Sequence, residues 1–263
     1  MKGRFLLVVI FLWQILVFAF AGKESVGNQN RKLDISCLGD SITMGMYPRE
    51  LQKFFGNRAD VQVYGREGAG VGGVFEYLHM SLHLYARERN SIVRGKPTHV
   101  IWYAGINDCA IQRFSTRDQV DRVVTYVEYV MDYVLTKGID LVLVQHHPWD
   151  ASLQDRTPIG KGCSWAVNEW LNFYAEITDG VQTVDTRELG YPDWPCCYYE
   201  WVGNCTPGLC KDGYRIVCPE ERVKEGCDRS WQLRDEYAAG DGLHLNQRGA
   251  KQLAKMIYEQ VQW

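Results

Sequence analysis

A chain of 263 residues carrying 29 Lys and Arg against 32 Asp and Glu has a formal charge of −3, with both signs scattered along it. That balance leaves no basic stripe for nucleic acid and no polybasic patch for a membrane surface. With 46% hydrophobic residues the chain can bury one sizeable core, and beyond its first segment no run is long and apolar enough to cross a bilayer.

In chain order, Lys2 and Arg4 precede an apolar stretch at 5–20, broken only by Gln14, which ends in Ala19-Phe20-Ala21. A positive head, an apolar middle and small residues at the cleavage positions predict a secretory signal at 1–21, removed after Ala21. The alternative is an uncleaved anchor, since the run approaches the roughly 17 to 25 residues that span a bilayer. The mature domain is then expected at 22–263, outside the cell and without stable membrane association.

Five short apolar runs follow: residues 34–39 (DISCLG), 61–64 (VQVY), 98–104 (THVIWYA), 139–145 (IDLVLVQ) and 181–185 (VQTVD). Near-continuous apolar runs of this length predict parallel strands covered on both faces. Helices are predicted between and after them. At 116–136, Val120, Val123, Val124, Val127, Val130, Met131 and Val134 recur at three- and four-residue spacing, and Gly138 supplies a stop signal. Residues 164–178 and 247–261 show the same period. Strands alternating with helices give a three-layer α/β/α domain built on a five-stranded parallel sheet.

One segment, at about 189–239, breaks the alternation. It has no clean period and is rich in Cys, Gly, Pro, Trp and Tyr, so it reads as a loop-rich insertion in the domain. Cys196, Cys197, Cys205, Cys210, Cys218 and Cys227 cluster there without a paired zinc spacing. In an exported chain they predict three disulfides of open connectivity. Cys37, Cys109 and Cys163 remain, and an odd total of nine leaves at least one unpaired or joined to another chain. Asn204-Cys205-Thr206 fits the glycosylation sequon, which would place Asn204 at the surface.

Ligands of open parallel sheets bind beyond the carboxyl ends of the strands. Polar residues stand at four such places: Gly39-Asp40-Ser41, the glycine-rich stretch 65–73 (GREGAGVGG), Gly105-Ile106-Asn107-Asp108, and Asp241-Gly242-Leu243-His244 before the last helix. Taken singly, each has a plain reading. Ser41 caps a helix, the glycines make a turn, Asn107-Asp108 is a turn pair, and His244 is a surface histidine. Their joint occurrence, in order and at strand ends, is what suggests a site.

These blocks (GDSIT at 39–43, the glycine at Gly68, GIND at 105–108 and DGLH at 241–244) resemble the SGNH, or GDSL-type, hydrolase family, from about Leu33 to the C-terminus outside the insertion. The tail DGLHLNQRGAKQLAKMI is similar to family members that open their last helix in this way. The resemblance implies a flavodoxin-like α/β/α fold and an esterase of the secreted carbohydrate- or acetyl-esterase kind. It assigns Ser41 as nucleophile, His244 as general base and Asp241 as the acceptor that fixes the imidazole tautomer, a division of labour that makes a weak hydroxyl reactive. The oxyanion donors it implies are the backbone N–H groups of Ser41 and Gly68 and the side-chain amide of Asn107. Asp40 is expected to be structural, tying its loop down by hydrogen bonds. One departure is Val63, where the family pattern often has Asn.

No cofactor is implied. His146-His147-Pro148 follows the fourth strand and His79 and His83 stand four apart, but neither pair has the further ligands that a metal site needs, and His147 is expected to line the pocket. Trp194, Tyr198, Tyr199, Trp201, Tyr214 and Trp231 give the insertion flat surfaces suited either to stacking on sugars or to packing beneath disulfides. The expected substrate is a short-chain ester, an O-acetyl group on a carbohydrate. The alternatives are a lipase or lysophospholipase, an acyltransferase, and a secreted carbohydrate-binding protein without catalysis.

Overall fold

The computed structural model describes residues 32–88, 97–110, 116–149, 159–190, 198–201, 214–217 and 233–261. The predicted signal at 1–21, the six clustered cysteines, Asn204, Trp194 and Trp231 lie outside the described residues.

Five strands form one sheet: β1 (Leu33–Gly39), β2 (Ala59–Gly65), β3 (His99–Tyr103), β4 (Asp140–Val144) and β5 (Val181–Val184). Their order is β2-β1-β3-β4-β5, and every neighbouring pair is parallel. Seven α-helices are described: α1 (Ser41–Met44), α2 (Tyr47–Phe55), α3 (Val71–Glu88), α4 (Ile106–Ala110), α5 (Thr116–Leu135), α6 (Ile159–Ile177) and α7 (Gln247–Val261).

The sheet divides two apolar cores, which is why its strands lack polar alternation. Val100, Trp102, Leu141 and Leu143 face a core closed by α3, α5 and α6. Their chain neighbours Ile101, Tyr103, Val142 and Val144 face the opposite core, closed by α2 and α7. Successive side chains of a strand point to opposite faces, so a strand covered on both sides must be apolar at every position. The three-layer fold is the one predicted.

In α5, Val120, Val123, Val124, Val127, Val130 and Val134 are all buried against the sheet. Valine is a modest helix former, but burying each such side chain is worth roughly 1.5–3 kcal/mol, so packing outweighs propensity.

Three features differ from expectation. Helix α2 was not predicted, although Tyr47, Leu51 and Phe55 recur at four-residue spacing and are buried, with Pro48 near its start. Helix α3 begins inside the glycine-rich stretch, at Val71; Gly72 and Gly73 mask a periodicity carried by the buried Val71, Val74 and Leu78. The insertion contains regular structure: β6 (Tyr198–Trp201) and β7 (Tyr214–Val217) pair antiparallel. Its ends are pinned together, because Gly190 and Leu233 form a bridge and Arg234 donates its backbone N–H to Leu189 O at 3.0 Å.

Cys109 on α4 and Cys163 on α6 form a disulfide with Cα atoms 5.3 Å apart. Cys37, by contrast, is a free thiol buried in β1. Burial pushes this thiol up to about 12, against the smaller opposing effect of a hydrogen bond with Tyr47. The disulfide joins residues 54 apart in sequence. Replacing both partners with alanine is expected to lower stability by about 2–4 kcal/mol, mostly by freeing the unfolded chain, as urea unfolding would measure.

Candidate active site

β1 lies between β2 and β3, so the chain leaves β1 toward one side of the sheet and returns on the other. The loops after β1 and β3 therefore diverge and open a crevice at the carboxyl edge. Ser41 follows β1 and Asn107 follows β3, which places them on the two lips of this crevice.

The β1 end requires glycine. A Cβ on Gly39 would stand 2.2 Å from the Tyr103 carbonyl oxygen and 2.1 Å from Thr43 Oγ1, far inside van der Waals contact. The residue that caps α1 is Asp40, whose Oδ1 accepts the Ile42 N–H at 2.9 Å. Ser41 is thus the first helical residue, and its hydroxyl is released from capping. The plain reading of Ser41 as a cap falls on its neighbour instead.

Ser41 Oγ lies 2.8 Å from His244 Nε2. On the other side of the ring, His244 Nδ1 donates to Asp241 Oδ2. That bond leaves Nε2 of the neutral ring as the acceptor for the serine hydroxyl. The second Asp241 oxygen accepts the backbone N–H groups of Leu243 at 3.0 Å and His244 at 2.9 Å. Burial pushes the Asp241 carboxyl upward, but hydrogen bonds from the imidazole and from these two N–H groups outweigh it and hold the carboxyl below its ordinary value. A short motif thereby fixes its own imidazole. The loop is closed by Ala239 N–H donating to His244 O at 2.7 Å.

Gly68 sits in the loop after β2 with φ of +66° and open space where a side chain would project. A residue with a Cβ rarely adopts this conformation. Asn107 Nδ2 donates to Asp40 Oδ2 and to Ala69 O, each at 3.1 Å. Both amide hydrogens therefore bridge the β1 and β2 loops, so a substrate oxygen would have to share one of them. The expectation that Asp40 is structural agrees with this geometry: one carboxyl oxygen caps α1 and the other anchors Asn107. Burial raises the Asp40 carboxyl from 3.8 to about 7, opposed by the Ile42 N–H and the nearby His244.

Three supporting residues have roles other than those expected from the sequence. Asp108, read there as half of a turn pair, is buried, accepts the Val71 N–H on Oδ2 at 2.7 Å and meets Arg122 Nε at 3.1 Å. It ties the start of α3, just past the Gly68 loop, to α4. Only a contact partner remote in sequence reveals that role. His146 and His147 are wholly buried. His146 donates to Ala104 O at 3.0 Å, and His147 donates to Leu243 O at 2.7 Å. His147 thus sits behind the His244 loop in place of lining a pocket. His79 packs edge-on against Phe75 and near Tyr133. Among the described residues no group of three or more His, Cys, Asp or Glu is arranged to hold a metal ion.

A family model, the GDSL-like lipase/acylhydrolase, matches residues 35–257. The chain belongs to this family. Membership brings the ester-hydrolase chemistry of the GDSL, or SGNH, hydrolases with it. The fold agrees with solved structures. A lipase/acylhydrolase from Enterococcus faecalis matches with a TM-score of 0.53 at 14% identity, covering 86% of this chain and 94% of that one. A carbohydrate acetylesterase family member from Sinorhizobium meliloti matches with a TM-score of 0.55 at 14% identity, covering 86% and 96%. A GDSL-like lipase from Bacteroides thetaiotaomicron gives 0.54 at 14%, covering 92% and 94%. No curated protein matched the chain. Within the GDSL pattern the departure at Val63 falls on the edge strand β2, where the side chain is exposed and in register with Cys37.

The raised Asp40 carboxyl has a signed consequence. Its folded-state value of about 7 exceeds the ordinary 3.8, so the folded protein holds this proton more tightly than the unfolded chain. The associated stability is fully present below about 3.8 and is lost as pH rises through about 7. Asp40→Asn is expected to flatten that fall relative to the unsubstituted protein, read from urea midpoints across the interval.

Proposed function

We propose that this protein is a secreted serine esterase in which Ser41, His244 and Asp241 carry out acyl transfer to water. The observation that carries the reading is the 2.8 Å contact between Ser41 Oγ and an imidazole whose other nitrogen is held by Asp241. As Ser41 Oγ bonds to the ester carbonyl carbon, its proton passes to His244 Nε2. Asp241 keeps the tautomer and stabilises the resulting imidazolium. The negative oxygen of the tetrahedral intermediate is met by the N–H groups of Ser41 and Gly68 and by Asn107, whose amide exchanges the Ala69 carbonyl for the stronger, charged acceptor. His244 then protonates the departing alcohol, and water repeats the sequence on the acyl-enzyme.

For the substrate we infer a short-chain ester, an O-acetyl group on a carbohydrate. The aromatic residues Trp194, Tyr198, Tyr199, Trp201, Tyr214 and Trp231 of the insertion and the likeness to a carbohydrate acetylesterase family member support this by analogy. The sequence at 1–21, with its Ala19-Phe20-Ala21 cleavage pattern, supports export. A specific observation favours a second reading, a lipase-like preference for longer acyl chains. Met44 is 54% exposed and Met46 38% exposed, just beyond the nucleophile. Met44, the last residue of α1, has its side chain over Gly65 at the end of β2, and with Met46 it gives an apolar surface within five residues of Ser41.

Ser41→Ala and His244→Ala are each expected to lower kcat by roughly 10⁴-fold or more, and Asn107→Ala by about 10²- to 10³-fold. A fluorophosphonate probe is expected to label the peptide containing Ser41; labelling elsewhere, or full turnover by Ser41→Ala, would refute the assignment. Hydrolysis of p-nitrophenyl esters from acetate to palmitate decides the acyl group. A maximum at acetate supports the first reading, and a maximum at long chains the second.

A further inference from the structure

The proposed chemistry does not use the buried imidazole of His147, yet its bonds end on the loop that carries His244. His147 Nε2 must be the protonated nitrogen, because it faces the carbonyl oxygen of Leu243 at 2.7 Å. Nδ1 is then the acceptor, and it receives the hydroxyl proton of Tyr103. The ring is neutral with both nitrogens satisfied, and burial pushes it down to about 4, with His146 and His244 acting in the same direction and the hydrogen bond to Leu243 O and the Asp241 charge against it.

Leu243 immediately precedes His244, so the carbonyl gripped by His147 and the N–H gripped by Asp241 belong to one peptide unit. The Asp241 grip measures 2.9 Å and the His147 grip 2.7 Å. A peptide unit is planar and stiff, so holding both its ends sets the direction in which the next side chain leaves the backbone. We propose that His147 is a positioning residue: by clamping the Leu243 carbonyl it aims the His244 imidazole at Ser41. This rests on the reading of Ser41, His244 and Asp241 as the reacting set.

The clamp continues to the nucleophile's side. The Tyr103 ring packs edge-on against Tyr47 at 6.1 Å, and the Tyr47 hydroxyl shares a hydrogen bond with Thr43 Oγ1 at 3.2 Å. Thr43 stands two residues after Ser41 on α1. A buried path through Thr43, Tyr47, Tyr103, His147 and Leu243 therefore braces nucleophile and base from behind, where no substrate reaches. His147 is itself seated by its neighbour: the His146 backbone N–H donates to Asn168 Oδ1 at 2.7 Å, and Asn168 Nδ2 returns a bond to His146 O at 2.8 Å.

Two amide substitutions separate this role from general support of the core. His147→Gln keeps a donor at the position of Nε2, whereas His147→Asn is too short to reach Leu243 O. Misaiming a catalytic group by about 1 Å costs up to roughly 10²-fold in rate. With p-nitrophenyl acetate, His147→Asn is expected to lower kcat by about 10- to 100-fold with KM little changed, and His147→Gln to recover most of the loss. Tyr103→Phe, which removes only the hydroxyl, is expected to give a smaller fall in kcat, and it serves should His147→Asn fail to fold. The low-field proton resonance of the His244–Asp241 bond should broaden or shift in His147→Asn and return in His147→Gln. Equal loss of kcat in the Asn and Gln variants, or unchanged kcat in both His147→Asn and Tyr103→Phe, would overturn the proposal. Parallel assay of Ser41→Ala keeps the two claims apart. Turnover by Ser41→Ala sinks the reacting set, while a dead Ser41→Ala beside fully active His147→Asn and Tyr103→Phe sinks only the clamp.

Discussion

The site depends on one hydrogen bond between groups 203 residues apart, Ser41 Oγ and His244 Nε2. Each of the two residues is held in place by its own surroundings. Ser41 is placed by a strand end so tight that only glycine fits before it, and by a buried aspartate that caps the helix in its stead. His244 is placed by a loop that folds onto its own aspartate and is gripped from behind by a second histidine.

Beneath the crevice lies a set of buried polar groups, each partnered across the chain. Asp40 joins the β1 and β3 loops through Asn107, and Asp108 joins α4 to the start of α3. His146 and Asn168 join the β4 loop to α6, which the disulfide in turn ties to α4. An unpartnered buried polar group costs about 1–3 kcal/mol, so such a network is stable only when every loop occupies its proper place. The apolar cores make the protein fold, and the polar network registers the strand-end loops against one another. The raised Asp40 carboxyl and the lowered His147 imidazole follow from the same desolvation.

Most of the sheet was legible because both of its faces are covered, which turns each strand into an apolar run. The long valine-patterned helix was legible because its buried stripe keeps one period from Val120 to Val134. Helix α3 was not, since glycines at its start look like loop, and α2 was not, since nine residues carry only two turns of signal. Of the site, the blocks around Ser41, Gly68, Asn107 and His244 stood out by their position at strand ends and by family resemblance. The tasks of Asp108 and His147 did not, because they are defined by partners 37 and 96 residues away.

The sequence by itself determined the class of fold, the strand ends that bear reactive groups and the residue types available for acyl transfer, because hydrophobic period and turn chemistry are local properties. Only the tertiary structure decided that Asp40, not Ser41, caps the helix, that both hydrogens of the Asn107 amide are engaged, and that Cys109 finds Cys163. It also decided that His147 stands behind the loop that carries His244. Those outcomes turn on which groups meet across the folded chain, and a hydrogen bond of about 3 Å reports a distance that no local pattern encodes.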